Sequence, residues 1–306
     1  MKEGLVLKST GSWYIVKCEG KLFNCVLKGK FRMDGLKTSN PIAVGDNVKF
    51  ILEDDETGVI KKVVQRENYL IRKLTKKGGI YHIVASNLDL AALVITTFEP
   101  RTSKGFIDRF LTSVEAFHIP VLLIFNKMDM IDTETDEVLN DYIDLYESIG
   151  YKCIQTSAET GEGVDHLEDV IKGKKTLFTG HSGVGKSSLL NRILPESQQK
   201  VTETSESTGK GLHTTTFAQM FELPDGETYI IDTPGLRELG IIEMEEYELS
   251  HFFIELKKYI SSCKFNTCLH KTEPGCAVIE AVENGRIAES RYMSYISLLE
   301  GSNNRG

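Results

Sequence analysis

The sequence contains 306 residues, which is enough for two or three domains of ordinary size. Hydrophobic residues make up 41% and charged residues 26%, a balance that is normal for a soluble globular protein. No apolar run reaches the roughly 18 residues of a membrane span, and the opening residues MKEGLVLKST show no apolar signal segment. We therefore expect a cytoplasmic protein without a membrane partner.

Charge is spread unevenly along the chain. The formal net charge is −8, yet residues 1–77 contain 16 lysines and arginines against 9 aspartates and glutamates. A basic N-terminal part in an acidic protein suggests a region that faces a polyanion. A solvated basic surface explains the same numbers, and charge alone does not decide between the two.

Residues 1–68 contain short apolar or alternating runs, namely SWYIVKC, KLFNCVL, DNVKFIL and GVIKKVV, separated by Gly, Asp and Asn. About five strands without a helical period favour a small closed barrel of the OB type, because an immunoglobulin-like sandwich needs more strands. Such barrels commonly bind oligonucleotides. Four aromatic residues lie in or near these strands, and some of them could stack on bases while others fill the core: Trp13, Tyr14, Phe23 and Phe31.

From about residue 88 the runs become mostly apolar: LDLAALVIT, PVLLIFN, KCIQTSA, KTLFTG and TYIIDT. Helix-like segments such as FIDRFLTSVEAFH and SSLLNRIL lie between several of them. Apolar strands that alternate with helices indicate a parallel sheet covered on both faces. Two further helix-like stretches follow, IIEMEEYELSHFFIELKKYI and AVIEAVENGRIAESRYMSYISLLE. We predict a multidomain α/β protein whose three units are 1–68, an all-β barrel, 69–240, the α/β domain, and 241–306, a helical domain.

The strongest motif is GHSGVGKS at residues 180–187, which satisfies G-x-x-x-x-G-K-[ST] between a strand and a helix. Its glycines let backbone N–H groups surround phosphates, and the helix N-terminus adds partial positive charge. Lys186 should reach the β- and γ-phosphates, and the Ser187 hydroxyl should ligate Mg²⁺. The candidate phosphate-binding residues are Gly180, His181, Ser182, Gly183, Val184, Gly185, Lys186, Ser187 and Ser188.

The run Asp232-Thr233-Pro234-Gly235 ends the strand-like run TYIID. Alone, D-x-P-G is more often a turn, but after a phosphate loop it indicates a γ-phosphate sensor. Asp232 can hold Mg²⁺ through water, and the Gly235 N–H can contact the γ-phosphate. The sequence therefore predicts a second half of the phosphate site at this strand end.

Guanine recognition is predicted from Asn126-Lys127-Met128-Asp129, which follows the strand VLLIF. The Asp129 carboxylate can accept both N1–H and the exocyclic amine of guanine, whereas adenine offers no matching donor pair. Lys127 can pack its aliphatic stem on the base or ribose. Ser157 and Ala158, in the run TSA, supply a backbone N–H for guanine O6. These residues predict a GTP or GDP site that uses Mg²⁺.

A threonine-rich segment, GKGLHTTT, lies between the phosphate-loop helix and Asp232. One of its threonines should close over the γ-phosphate and complete the Mg²⁺ shell; Thr215 and Thr216 are both candidates. Leu236 follows the D-T-P-G run where Ras-like enzymes carry a water-orienting glutamine. His213 is the nearest chemical candidate for that task, and a purely structural histidine is nearly as good an interpretation.

Three cysteines and one histidine cluster near the C-terminus with the spacing C-x4-C-x-H-x5-C. Three thiolates and an imidazole suit a closed tetrahedral zinc site, and a disulfide would leave one thiol unpaired. We predict one structural zinc ion per chain held by Cys263, Cys268, His270 and Cys276.

The motif set NKMD, TSA, GHSGVGKS and DTPG resembles that of translation-factor GTPases, but here Asn126 precedes Lys186. The order is therefore circularly permuted. Together with the barrel and the Cys/His spacing, it resembles the bacterial ribosome small-subunit-dependent GTPases. That resemblance implies GTP hydrolysis stimulated by the small (30S) subunit, a role in its late assembly, and binding to its rRNA. We expect a monomer. The family's common G-R-H-T-T-T reads G-L-H-T-T-T here, with Leu212 replacing the arginine.

Two other functional classes fit the sequence less well. A metabolic or signalling enzyme that transfers a phosphoryl group is disfavoured by NKMD and by the lack of an obvious substrate domain. A nucleic-acid-binding module with a vestigial nucleotide site is disfavoured by the intact Lys186, Ser187 and Asp232.

Overall fold

The computed structural model describes residues 1–28, 38–53, 57–73, 81–194, 218–233 and 246–301. Four of the predicted site residues or alternatives, His213, Thr215, Thr216 and Gly235, lie outside these ranges. Among the described helices, none combines the length and apolarity that crossing a membrane requires.

The N-terminal part is a five-stranded barrel. Its strands are β1 (Lys2–Ser9), β2 (Trp13–Cys18), β3 (Lys21–Leu27), β4 (Asn47–Leu52) and β5 (Gly58–Val63). They pair in the order β1-β2-β3-β5-β4, and β4 pairs back onto β1 to close the barrel. Only β3 and β5 run parallel among these described pairs. The predicted OB-type barrel is thereby confirmed.

Alternation along the strands fills the barrel interior, since successive side chains of a strand point to opposite faces. Tyr14 and Val16 on β2 are buried, whereas Trp13 is 52% exposed. They pack with Val6, Cys25, Val48, Phe50 and Ile60 in one cluster. Irregular register in β1 and in β4 marks bulges, which let strands bend enough to close a small barrel.

A hairpin of β6 (Tyr69–Lys73) and β7 (Tyr81–Ser86) connects the barrel to the second sheet. A buried ion pair secures this junction: Arg66 donates to both carboxylate oxygens of Asp46, at 2.6 Å each. The Ser86 hydroxyl donates to the same carboxylate at 2.6 Å. Gly45 has φ +91°, and a Cβ there would lie 2.1 Å from the Ser86 carbonyl oxygen. Only glycine suits a backbone this close.

The second sheet contains β8 (Leu90–Ile95), β9 (Val121–Phe125), β10 (Lys152–Gln155), β11 (Lys175–Gly180), β12 (Gln219–Glu222) and β13 (Tyr229–Asp232). Their spatial order is β10-β9-β8-β11-β13-β12. Neighbours are parallel except β12, which runs antiparallel to β13. One residue pair between β1 and β12, Lys8 with Gln219, joins the barrel to this sheet. The Lys17–Glu222 ion pair, at 2.6 Å, reinforces the joint.

Helices cover both faces of this sheet, as the sequence predicts. They are α1 (Lys104–Glu115), α2 (Thr133–Ile149), α3 (Val164–Ile171) and α4 (Lys186–Ile193). On β8, Leu93 packs in the cluster that includes α1 and α2, and Val94 packs in the one that includes α3 and α4. Capping sets the helix bounds: Asp132 forms a capping box at the start of α2, and Gly150 ends that helix with φ +117°.

The C-terminal part contains a 3-10 turn (Leu249–Phe252) and α5 (Ile254–Ile260), α6 (Ala277–Glu283) and α7 (Glu289–Leu299). Each of the two predicted helix-like stretches is therefore interrupted. Phe253 is extended, with φ −100° and ψ 101°, and its ring is fully buried, so tertiary packing interrupts the first. The second stops at Asn284-Gly285, where Gly285 has φ +68°.

Candidate nucleotide-binding site and metal centre

The predicted nucleotide-binding motifs meet at one edge of the second sheet. Gly180 ends β11 and Asp232 ends β13, while Asn126 directly follows β9 and Thr156 directly follows β10. Together with β8, these four strands form a continuous parallel set, so their carboxyl ends point the same way. Open parallel sheets bind ligands at this edge. The permuted order of the motifs along the chain is thus compatible with one shared site.

The phosphate loop is shaped by glycines. Gly183 and Gly185 have φ of +87° and +84°, the left-handed region that side chains disfavour. A Cβ at Gly185 would also lie 2.4 Å from the Asn126 amide nitrogen. Ser182 and Gly183 are exposed, as is Ser188 in the first turn of α4. Such a loop, leading into a helix N-terminus, presents backbone N–H groups to an anion.

Asn126 joins the phosphate loop to the base-recognition loops. Its side-chain nitrogen donates to the Val184 carbonyl at 2.9 Å. Its side-chain oxygen accepts from the Thr156 hydroxyl and from the Ala158 N–H, both at 3.1 Å. Asn126 is fully buried, so these bonds are shielded from water. The side chain therefore holds three loops in register.

In the candidate base pocket, Asp129 is exposed and accepts a hydrogen bond from the Ser157 hydroxyl. Lys127 has φ +70° and donates to the Glu99 carbonyl at 2.8 Å. The Met128 N–H donates to the Thr156 carbonyl at 3.1 Å, which ties the two base loops together.

The backbone N–H groups that the sequence offers to guanine O6 both have acceptors within the protein. Ser157 N–H donates to the Glu162 carbonyl at 2.9 Å, and Ala158 N–H donates to Asn126 at 3.1 Å. Sequence reasoning missed Arg192 on α4, whose guanidinium donates to the Ala158 and Glu159 carbonyls. Nothing in the local pattern around Arg192 signals this contact, because it joins residues more than thirty positions apart.

Lys186 and Asp232 form an ion pair at the mouth of the phosphate loop, with side chains 11% and 15% exposed. The Thr233 hydroxyl donates to the Phe178 carbonyl at 3.2 Å and so fixes the backbone beside Asp232. Mg²⁺ prefers oxygen ligands, and the Ser187 hydroxyl and the Asp232 carboxylate supply them. The donor set therefore fits magnesium bound together with a nucleotide, where the ion would neutralise charge between carboxylate and phosphate.

The Cys/His cluster forms a compact metal-ligand set. Ligand atoms of Cys263, Cys268, His270 and Cys276 all lie within 4.8 Å of one another. The Cys263 and Cys276 sulfurs are 3.9 Å apart, and His270 Nδ1 lies 3.6 Å and 3.3 Å from them. Tetrahedral zinc with ordinary bond lengths places S···S pairs about 3.8 Å and S···N pairs about 3.6 Å apart. The arrangement fits one zinc ion.

Surrounding groups orient the cluster. Tyr292 donates to the His270 carbonyl at 2.7 Å, and the Glu273 carboxylate accepts backbone N–H groups from residues 269, 271 and 272. Burial raises the pKa of the Cys276 thiol to about 12 and lowers the pKa of His270. The neutral imidazole is the ligand form, whereas the thiols must lose protons to a metal. Metal binding therefore offsets an electrostatic cost that the fold imposes.

Comparison with known proteins identifies the family of this chain. Residues 63–242 match the family model described as RsgA GTPase, and residues 3–60 match the RsgA N-terminal domain. The chain belongs to the RsgA GTPase family. A relative from Bacteroides fragilis, named small ribosomal subunit biogenesis GTPase RsgA, is 50% identical over 97% of this chain and 96% of its own length. One from Flavobacterium psychrophilum is 47% identical over 97% and 92%.

Two solved structures resemble the whole chain. YjeQ from Thermotoga maritima has a TM-score of 0.78 and 36% identity, covering 100% of this chain and 99% of its own. YloQ, described as a circularly permuted GTPase, has a TM-score of 0.73 and 30% identity, covering 100% and 96%. This RsgA-family chain is accordingly a GTP hydrolase with a circularly permuted motif order.

Turnover should depend on Lys186. We expect Lys186→Ala to lower the rate of GTP hydrolysis by at least about a hundredfold, the effect of removing one preorganised donor to developing charge. The measurement is phosphate release from GTP by the full chain. Lys175→Ala is the matched control, since Lys175 begins the same strand, β11, at the end opposite the phosphate loop. Hydrolysis retained in Lys186→Ala would remove this lysine from the mechanism.

Proposed function

We propose that this protein is a GTP-driven factor for late maturation of the small (30S) ribosomal subunit, which binds rRNA and whose hydrolysis the subunit stimulates. One observation supports it most: phosphate-loop and guanine motifs meet at one sheet edge, in a chain whose relatives carry the name small ribosomal subunit biogenesis GTPase. We assign the barrel to residues 1–68, the GTPase domain to 69–240 and the zinc domain to 241–306.

The remaining assignments follow from the same hypothesis. One structural zinc per chain and Mg²⁺ with GTP are the metals, and the active form is a cytoplasmic monomer. GTP orders the switch segments and favours docking on the subunit, and hydrolysis releases them. His213 and Thr215 remain predictions for this step.

The barrel is the proposed rRNA contact. It lies in the basic part of the chain, which supplies the attraction to phosphates. Trp13 is 52% exposed and suits stacking on a base, while Leu22 is exposed on the next strand. Tyr14 is buried in the core and cannot stack, so it belongs with the core aromatics. Phe31 lies outside the described residues. Phe23 packs against Phe50 at 5.5 Å between ring centroids and belongs with the core.

Co-sedimentation with purified small subunits tests this function. We expect the tightest binding with a non-hydrolysable GTP analogue, weaker binding with GDP, and a steep loss with salt because counterions are released. Trp13→Ala should weaken binding by about tenfold, in the range for one lost stacking contact. Small but not large subunits should accelerate GTP hydrolysis.

Two results would contradict the proposal separately. Equal pelleting in the GDP and GTP-analogue states would exclude the nucleotide switch. Undiminished pelleting of Trp13→Ala would exclude stacking by this side chain as an anchor of the barrel. The control is Trp13→Phe, which keeps an aromatic surface and should bind nearly as well as the unaltered chain.

A further inference from the structure

We propose that Arg291, in the C-terminal part, is a positioning residue for the phosphate loop and acts on it through helix α1. The inference rests on the proposed nucleotide site and adds a regulatory input to it. It predicts that a change in how the C-terminal helices pack against α1 alters nucleotide affinity as well as the stability of the chain.

The N-terminal end of α1 contacts the phosphate loop. The ring of Phe106 lies against the ring of His181, with 3.7 Å between centroids and 36° between planes. Just before the helix, Pro100 lies 3.4 Å from where a Cβ of Gly183 would be. A displacement of this end of α1 therefore reaches the phosphate loop through direct contact.

The same segment also contacts the base-recognition motif. The Lys127 ammonium donates to the Glu99 carbonyl at 2.8 Å. Residues 99–106 thus touch both halves of the candidate nucleotide site. A change in the position of this segment would be felt at the phosphate loop and at the guanine motif together.

Asp108, two residues after Phe106, points to a different side of α1, because two residues of a helix turn by about 200°. Its carboxylate accepts from Arg291 of α7 at 2.6 Å and from the Tyr146 hydroxyl of α2 at 2.9 Å. Arg291 also binds Glu255 of α5 through two bonds, of 2.6 Å and 3.1 Å. Asp108 and Arg291 are fully buried. One guanidinium therefore connects α1 to two C-terminal helices.

The ion pair between Asp108 and Arg291 resists separation of α1 from α7. A buried ion pair cannot be pulled apart without leaving a charge unpaired in a poorly solvated place. The Arg291 guanidinium is further held 4.6 Å from the Phe253 ring centroid. Movement of α7 is therefore transmitted to α1, and from α1 to Phe106.

A pocket of ≈ 90 Å³ lies beside this pair, between α2 and the C-terminal part and next to Glu255. It is lined by Leu145 and Ile149 from α2 and by Tyr259 and Ile287 from the other side. Exposed side chains also line it, namely Ser148, Lys258 and Arg286, so the pocket opens to solvent at the edge of the contact. The buried ion pair is therefore the firm part of this contact.

The test is a double-mutant cycle in the full, zinc-loaded chain, with Arg291→Met and Phe106→Leu alone and together. Methionine keeps an unbranched apolar stem without the guanidinium, and leucine keeps an apolar side chain without the aromatic ring. Equilibrium titration with a fluorescent GDP analogue gives the dissociation constants. Each single change should weaken binding by roughly 2- to 30-fold, the range for residues along a coupling route. The double variant should be no weaker than the weaker single variant, because both act through α1. Arg291→Lys, which retains the charge, should restore part of the affinity.

Controls separate coupling from stability. Val278→Ala, in the core of the C-terminal part, should lower the melting temperature and leave GDP affinity unchanged. Lys257→Met removes an exposed lysine of α5 that does not line the pocket, and it should also leave GDP affinity unchanged. If Arg291→Met does not fold, Asp108→Asn replaces it in the cycle, because it keeps the shape and removes the charge.

Three outcomes are decisive. If the original chain binds GDP and Arg291→Met or Asp108→Asn binds it with the same affinity, Arg291 is not coupled to the phosphate loop. Additive losses in the double variant overturn it as well, since independent effects need no shared helix. Failure of the original chain to bind GDP contradicts the nucleotide-site assignment itself and is distinguishable from both.

Discussion

Asp129→Asn should change the base preference of the pocket from guanine to xanthine, with a loss of GTP affinity of roughly 10⁴-fold. The carboxylate accepts two donors of guanine, and an amide in its place offers one donor and one acceptor, which matches xanthine. Ser157 donates to Asp129, and the asparagine oxygen can accept that same hydrogen bond. The pocket should therefore keep its shape while its hydrogen-bonding pattern changes. Dissociation constants for GDP and XDP measure the effect.

Asp136→Asn is the matched control for this change. Asp136 is an exposed aspartate in the first turn of α2, and its replacement removes the same charge outside the base-recognition run. It should leave both affinities unaltered. GDP affinity preserved in Asp129→Asn, with no gain for XDP, would refute the assignment of the base pocket.

Loss of zinc is the second large effect. We expect Cys268→Ser to reduce bound zinc from about one ion per chain to near zero and to unfold the C-terminal part, because structural zinc contributes on the order of 10 kcal/mol or more. Cys268 and Cys276 belong to the same buried cluster as Phe253, Leu256 and Tyr295. Without the metal, this small core loses the link between its segments. Metal analysis and limited proteolysis of residues 246–301 report the two effects.

Cys153→Ser provides the comparison for that experiment. Cys153 lies on β10, outside the metal-ligand set, and its replacement should leave the zinc content unchanged. The second sheet has its own buried clusters, so it should resist proteolysis in Cys268→Ser. A zinc-free chain that keeps residues 246–301 protected would show that the cluster is not a structural metal site.

The parts of the fold that sequence could predict are those with local signals. Period-two alternation in residues 1–68 predicts the barrel, but it does not say which of Trp13 and Tyr14 faces inward; barrel closure decides that. The interruption at Phe253 also has no local signal, because burial of its ring causes it. The break at Asn284-Gly285 has such a signal, because Asn-Gly pairs are typical of turns.

In the candidate site, too, some features have a local sequence signal and others do not. The phosphate loop and NKMD are contiguous runs, so each is readable alone. The role of Asn126 as a tie between loops is not, since its partner Val184 lies 58 positions away. Asp108 and Arg291 are 183 positions apart, and each reads as an ordinary surface charge in its own helix. Contacts of this kind follow only from the packing of the whole chain.

The pairing order of the strands has a consequence for synthesis of the chain. All barrel pairs lie within residues 2–63, so the barrel can form early. The second sheet cannot form early, because its central strand, β11, is synthesised late. Three strands that lie to one side of β11 are made before it: β8, β9 and β10. Until β11 emerges, one side of β8 carries unpaired backbone groups that invite pairing with other chains. A chain whose translation stalls before residue 175 would carry a folded barrel and an exposed, unpaired edge of β8. We expect such a chain to aggregate.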